Sequence, residues 1–114
     1  MSNEPNASDR RNEPRVGKVQ LVQITRFDEE GFHADIATGR TLNVSRGGIR
    51  LELHHALPLR SVVNLSVLLG EDILEVTGKV VYLEAIDDER CAMGVAFGDL
   101  SPTQVQQIER YLGA

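Results

Sequence analysis

The chain has no tryptophan, a single cysteine and only two lysines among its 114 residues. One thiol, Cys91, excludes an internal disulfide framework and any zinc site built on paired thiolates. With three Phe and two Tyr, spread over positions that alternation assigns to a core, the chain lacks the stacking platform of a single-strand nucleic-acid binder. No run approaches the roughly 18 apolar residues of a membrane helix, and the opening MSNEPNASDRR has no apolar segment of the kind that marks an export signal. A formal net charge of −5 argues against broad nucleic-acid binding, which requires a basic face. The expectation is a cytoplasmic, soluble protein with no DNA or RNA partner and no membrane insertion. Its length, with 41% apolar residues, suits one domain with a core that needs no staples.

Within this acidic chain, arginine is concentrated. Four basic residues (Arg10, Arg11, Arg15, Lys18) lie between positions 10 and 18 beside one acid, Glu13. From Ile36 to Leu51 there are three arginines (Arg40, Arg46, Arg50) and no acid. Residues 1–9 are small and polar, without periodicity, and read as a disordered tail. Pro14 biases Glu13 toward extended backbone. Residues 10–18 are therefore expected to form an extended arm with Arg11 and Arg15 on one side. Taken alone, such a segment is an ordinary solvated basic tail.

Residues 19–98 carry strand signals. Val19, Leu21, Val22 and Ile24 form a strand with one break in alternation, expected to be a bulge. Asp28-Glu29-Glu30-Gly31 is a turn, with Gly31 free to take positive φ. Phe32, Ala34, Ile36, Leu42 and Val44 give an even-numbered apolar face, on one strand bulged at Gly39 or on two shorter ones. Ile49, Leu51 and Leu53 alternate with polar residues, as do Val63, Leu65, Val67 and Leu69. Gly70-Glu71-Asp72 closes a hairpin to Leu74, Val76, Val80 and Tyr82, with a bend at Gly78. After the charged turn Asp87-Asp88-Glu89, the last strand holds Cys91, Met93, Val95 and Phe97. Ser101-Pro102-Thr103-Gln104 opens a helix over 101–112: Ser101 caps it, Pro102 sits in the first turn and Gln104 reaches back. Val105, Ile108 and Leu112 line one face, and Gly113 ends it. Six or seven short antiparallel strands, each apolar on one face, predict an all-β fold: a small antiparallel β-barrel, closed or nearly closed, with a C-terminal α-helix; closure removes the sheet edges such strands would otherwise expose.

Arginine matches phosphate oxygens with a planar fork, stacks on flat rings and reads the O6/N7 edge of guanine. Arginine clusters in a lysine-poor chain therefore suit a ligand that offers both guanine and phosphate. Asn43 and Ser45, two apart at a strand end, project the same way and offer donors and acceptors. Gly47 and Gly48 allow a sharp turn and close approach of a ligand to the backbone. Each spacing alone is weak; together and in this order they are specific.

Arg11-x-x-x-Arg15, a strand pair, Asn43-x-Ser45-x-x-Gly48, further strands and a helix together resemble the PilZ domain family. The likeness runs from about Arg10 to Leu112 and includes Gly94-Val95-Ala96-Phe97 and Leu100-Ser101-Pro102. It implies a six-stranded barrel that binds the bacterial second messenger cyclic di-GMP, with the arginine arm folded over the ligand. Carried over, Arg11 and Arg15 contact guanine edges and phosphates. Asn43 and Ser45 hydrogen-bond a guanine and its neighbouring phosphate or the arm, and Gly48 supplies the tight backbone beside Gly47. Arg10, immediately before the first motif arginine, resembles the case in which two stacked ligand molecules bind per chain. Position 43 holds Asn where Asp is commoner, and Tyr82 stands where many members carry Trp, a change assigned to packing more than to binding.

Other candidates are weaker. His54 and His55 are adjacent and face opposite ways on a strand, so they cannot share a metal. Cys91 reads as a core thiol. Ser45 has no base placed near it by any sequence signal, so no enzymatic activity is expected. Asp87-Asp88-Glu89 reads as a solvated hairpin tip. The leading expectation is a receptor for cyclic di-GMP that signals in trans to an effector protein, in motility or biofilm regulation. The alternative is an adaptor of the same fold that works by protein contact and binds no nucleotide.

Overall fold

Six strands and a helix make up residues 20–113, which the structure, a computed structural model, describes. They are β1 (Leu21–Phe27), β2 (His33–Val44), β3 (Gly48–Leu53), β4 (Val62–Leu69), β5 (Asp72–Ala85), β6 (Cys91–Phe97) and α1 (Pro102–Gly113). The tail expected over 1–9 and the arginine arm expected over 10–18 lie outside the described residues. All neighbouring strands are antiparallel, and the order β1-β2-β3-β6-β5-β4 closes when β4 pairs with β1. The chain adopts the antiparallel barrel with a C-terminal helix that the strand pattern predicts; of the six or seven strands that pattern allowed, the described residues form six, as the family resemblance implies, and the barrel is closed.

Period-two alternation sets the inside of the barrel. Val22 and Ile24 of β1, Ile49, Leu51 and Leu53 of β3, and Val63, Leu65, Val67 and Leu69 of β4 are buried together. Leu74, Val76 and Val80 of β5 and Met93 and Val95 of β6 complete the core. Burial of this kind stabilises by roughly 25 cal/mol per Å² of apolar surface removed from water. At the β1–β2 turn, Asp28 Oδ1 accepts from the backbone amides of Glu30 and Phe32. Gly31 takes φ +89°, as the turn requires.

Several faces differ from the pattern. β2 is one continuous strand, with irregularities at Ala34 against β1 and between Thr41 and Asn43 against β3 rather than at Gly39. Before that shift the inward positions are Ala37 and Gly39. The even-numbered residues Ile36 and Leu42 therefore point outward, and only Val44, past the shift, turns into the core. The interior accepts small residues there because the Leu53 side chain lies over Gly39. In β1 the register is unbroken from Leu21 to Arg26, with an irregularity only at Arg26/Phe27. Leu21 is thus left outside while Val22 and Ile24 go in, and no bulge accounts for the break in alternation. A register shift between Val80 and Tyr82 puts Tyr82 on the outer surface.

The helix is held by a reciprocal cap. Gln104 N donates to Ser101 Oγ at 3.1 Å, and Ser101 N donates to Gln104 Oε1 at 2.7 Å. Gln104 Nε2 also donates to the Glu75 carbonyl and Gln107 Nε2 to the Ile73 carbonyl, which tie the helix along β5. Ile108 is buried and Tyr111 packs against the core, whereas Leu112 is exposed, so the buried stripe runs through Tyr111 rather than Leu112. Ser101→Ala removes the cap oxygen and is expected to lower unfolding free energy by about 1 kcal/mol. Denaturant titration checks this, and an unchanged midpoint would mean the cap is redundant with docking on β5.

Candidate functional site

One end of the barrel gathers the start of β1, the β2–β3 loop, the β4–β5 hairpin and the end of β6. Here the backbone makes a tight return. Ser45 N donates to Gly48 O at 2.9 Å, Ser45 Oγ donates to the same carbonyl at 3.3 Å, and Phe97 N donates to Gly47 O at 2.9 Å. The Ser45 hydroxyl thus closes the turn, as serine does where a side chain can substitute for a backbone partner.

Beside this turn a groove of about 450 Å³ runs along the outer face of the barrel. A row of cross-strand neighbours forms it: Asn43 pairs with Arg50, Arg50 with Gly94, and Gly94 with Tyr82, spanning β2, β3, β6 and β5. Gly94 and Ala96 give it a floor without bulk. A Cβ at Gly48 would strike the Val95 carbonyl, so only glycine lets β3 approach β6 this closely. A Cβ at Gly94 would collide with the Tyr82 ring, which lies over that glycine as aromatic residues do across antiparallel pairs. Gly47 faces open space, with nothing within 4 Å of the position a Cβ would take.

Asn43, Ser45, Gly47 and Gly48 therefore all border this groove. Arg10, Arg11 and Arg15 lie outside the described residues. The first described residue is Gln20, whose carbonyl accepts from Thr41 N at 2.8 Å, two residues before Asn43 on the same strand. Gln20 is the buried polar residue of the described chain, and its Oε1 has no partner among the described residues.

The three-arginine, acid-free run is not a free cationic patch. Arg40 pairs with Glu52 at 3.2 Å, Arg46 with Glu109 at 2.9 Å and Arg50 with Glu84 at 2.7 Å. Each acid comes from another part of the sequence, so an excess along the chain is balanced across the sheet and by the helix. Of the three, only Arg50 borders the groove. Arg50 and Tyr82 are the wall residues missing from the sequence-derived site. Alternation with Ile49 and Leu51 already turned Arg50 outward, but nothing in the sequence says that β6 and then β5 lie beside β3.

Away from the groove, Glu52 also receives Arg90 at 3.2 Å. Burial pulls its carboxyl pKa upward, but hydrogen bonds from Arg40 and Arg90 outweigh this and hold it below the ordinary value. Hydrogen bonds from Arg90 and then from the Glu89 amide lower Asp87, so the hairpin tip is a self-satisfied ion pair. Among the described residues no group of three or more His, Cys, Asp and Glu is placed to hold a metal ion. Cys91 packs against the core, and burial raises its thiol pKa, which favours the protonated thiol.

Because the folded-state pKa of Glu52 is depressed, its contribution to stability is present above the ordinary carboxyl value of 4.5 and is lost as pH falls through the folded value. Glu52→Gln is expected to be less stable than the parent at pH 7 and to lose less stability on acidification below that value. Parallel stability curves for the two proteins between pH 7 and pH 3 would show that the pairing carries no linkage.

Comparison with known proteins follows the same outline. A family model described as PilZ domain matches residues 9–114, and no curated protein matches the chain. The fold is similar to the PilZ domain with c-di-GMP of YcgR from Escherichia coli, at 18% identity and a TM-score of 0.59, over 83% of this chain and 79% of that one. It is similar to the PilZ domain of CeSA from a cellulose synthesizing bacterium, at 17% identity and 0.57, over 86% and 94%. It is also similar to K. pneumonia MrkH, at 16% identity and 0.64, over 90% of this chain and 48% of that protein. At such identities the likeness is one of fold.

Proposed function

The chain belongs to the PilZ domain family, and from that premise we propose that it is a receptor for cyclic di-GMP, held in the groove beside the β2–β3 turn. The observation that carries this reading is a coincidence of place. The residues of the Asn43-x-Ser45-x-x-Gly48 motif border a groove at the barrel end where the segment bearing Arg11 and Arg15 joins the sheet. Arg15 is five residues before Gln20 and Arg11 nine before it. An extended chain spans at most about 3.3–3.6 Å per residue, so both side chains are within reach of Asn43. A related domain, that of YcgR, is known with this ligand.

In this mechanism the ligand supplies two phosphates and two guanines. Arg11 and Arg15 grip phosphate oxygens and guanine edges with paired hydrogen bonds. Asn43 offers an amide to a guanine, and Gly47 and Gly48 leave the turn backbone open to approach. Ser45 holds that turn by its bond to Gly48 O and keeps an acceptor lone pair for a guanine or the arm. Arg10 adds the contact for a second ligand molecule. Drawing the arginine segment onto the barrel changes the surface seen by an effector protein, which relays the signal in trans. The described lining of the groove offers hydrogen-bonding groups and an arginine, which suits recognition of an anionic ligand.

Isothermal titration with cyclic di-GMP, with GTP as control, tests the proposal. Selective binding is expected, with a stoichiometry of two ligands per chain if Arg10 has the role given to it. Arg11→Ala or Arg15→Ala is expected to weaken binding more than about tenfold, the scale of a lost charge-assisted pair, with the thermal melt unchanged. Retained affinity in both variants would overturn the site assignment. Absence of binding by the parent would make the protein an adaptor that works by contact alone.

A further inference from the structure

Arg50 is the cation that the family motif does not include and the groove does. It stands on the outer face of β3, opposite Asn43 on one side and Gly94 on the other. Its guanidinium does not lie free over the groove. It crosses the small residues of β6 and meets Glu84 on β5, Nη2 to Oε1 at 2.7 Å. Its Nε is buried and has no hydrogen-bond partner among the described residues. The fork is therefore half used: one donor sits on a carboxylate, and another, shielded from water, has no acceptor. An arginine fork is fully satisfied by an anion that takes two donors at once, as a phosphate oxygen pair does.

We propose that Arg50 is a phosphate-contacting residue of this groove and that Glu84 is an internal anion occupying its fork until a phosphodiester displaces it. The proposal rests on the receptor reading above and adds an element within it, a latch that sets affinity. Glu84 is well exposed, with 63% of its side-chain surface accessible, and Arg50 is 42% exposed. An ion pair in that setting is weak, so a bidentate phosphate contact can replace it. The same pair reduces apparent affinity, because only molecules with Arg50 released are competent to make the new contact. The surrounding geometry favours the exchange. Gly94 places no side chain, and Ala96 only a methyl group, in the path of the guanidinium, and Tyr82 covers Gly94 from the β5 side.

Titration of the full chain with cyclic di-GMP in a double-mutant cycle separates this latch from a general charge effect. Glu84→Gln keeps the shape of the side chain and removes its charge. It is expected to tighten binding by about two- to fivefold, the size an exposed pair can contribute. Arg50→Gln is expected to weaken binding by about tenfold or more. In the double variant the gain from Glu84→Gln disappears, because Glu84 acts through Arg50. If Glu84→Gln tightens binding equally with and without Arg50, the carboxylate is only a diffuse repulsion and the latch is wrong. If parent and Glu84→Gln bind alike, the latch is also wrong while the receptor reading stands. If neither binds, the receptor reading itself falls and this one with it. Thermal melts of all four proteins confirm that both exposed substitutions leave the barrel folded.

Discussion

The carbonyl of Val95 lies where a side chain at position 48 would begin, and much of the outer surface follows from that contact. β3 and β6 approach closely there because Gly48 has no Cβ, and in that register Ala96 lies opposite Gly48 and Gly94 opposite Arg50. Tyr82 then has a glycine to lie over. A flat floor, one aromatic wall and one arginine wall are what remain when bulky side chains are kept off β6. The same turn that ends at Gly48 is closed by the Ser45 hydroxyl, so the motif builds the sheet as well as bordering the groove. Gly47 differs in kind, since nothing in the barrel requires the absence of its side chain.

The barrel was legible because its inner face is written in plain alternation. Ile49, Leu51 and Leu53, or Val63, Leu65, Val67 and Leu69, admit one orientation once half of each strand is buried. The helix cap was legible for a similar reason, since Ser101 and Gln104 can satisfy each other only at that spacing. β2 was misread because its apolar residues are the outer ones. Ile36 is exposed while Ala37 and Gly39 face inward, and a shift at Thr41/Asn43 then reverses the faces before Val44. Alternation cannot report a shift that depends on how a partner strand is paired.

The motif of the candidate site was legible in the sequence, and the surface it borders was not. Asn43, Ser45, Gly47 and Gly48 are neighbours in sequence and meet the groove together. Arg50 and Tyr82 meet it from strands brought together by the order β3-β6-β5, which no local pattern encodes. Charge was misleading for the same reason. Glu52, Glu84 and Glu109 lie outside the acid-free run of 36–51 and neutralise its three arginines across the sheet and from the helix. In the proposed reading the anion site works by exchange: the exposed Glu84 carboxylate holds Arg50 in place, and a doubly charged ligand replaces it.

That exchange has a definite address on the molecule. Amide resonances followed by nuclear magnetic resonance while cyclic di-GMP is added test it most directly. The account predicts that the amides of Asn43, Gly48, Arg50 and Gly94 shift on ligand addition, while those of Thr25, Asn64 and Ser66 on the opposite wall of the barrel stay in place. Shifts confined to β1 and β4, or none at saturating ligand, would contradict it.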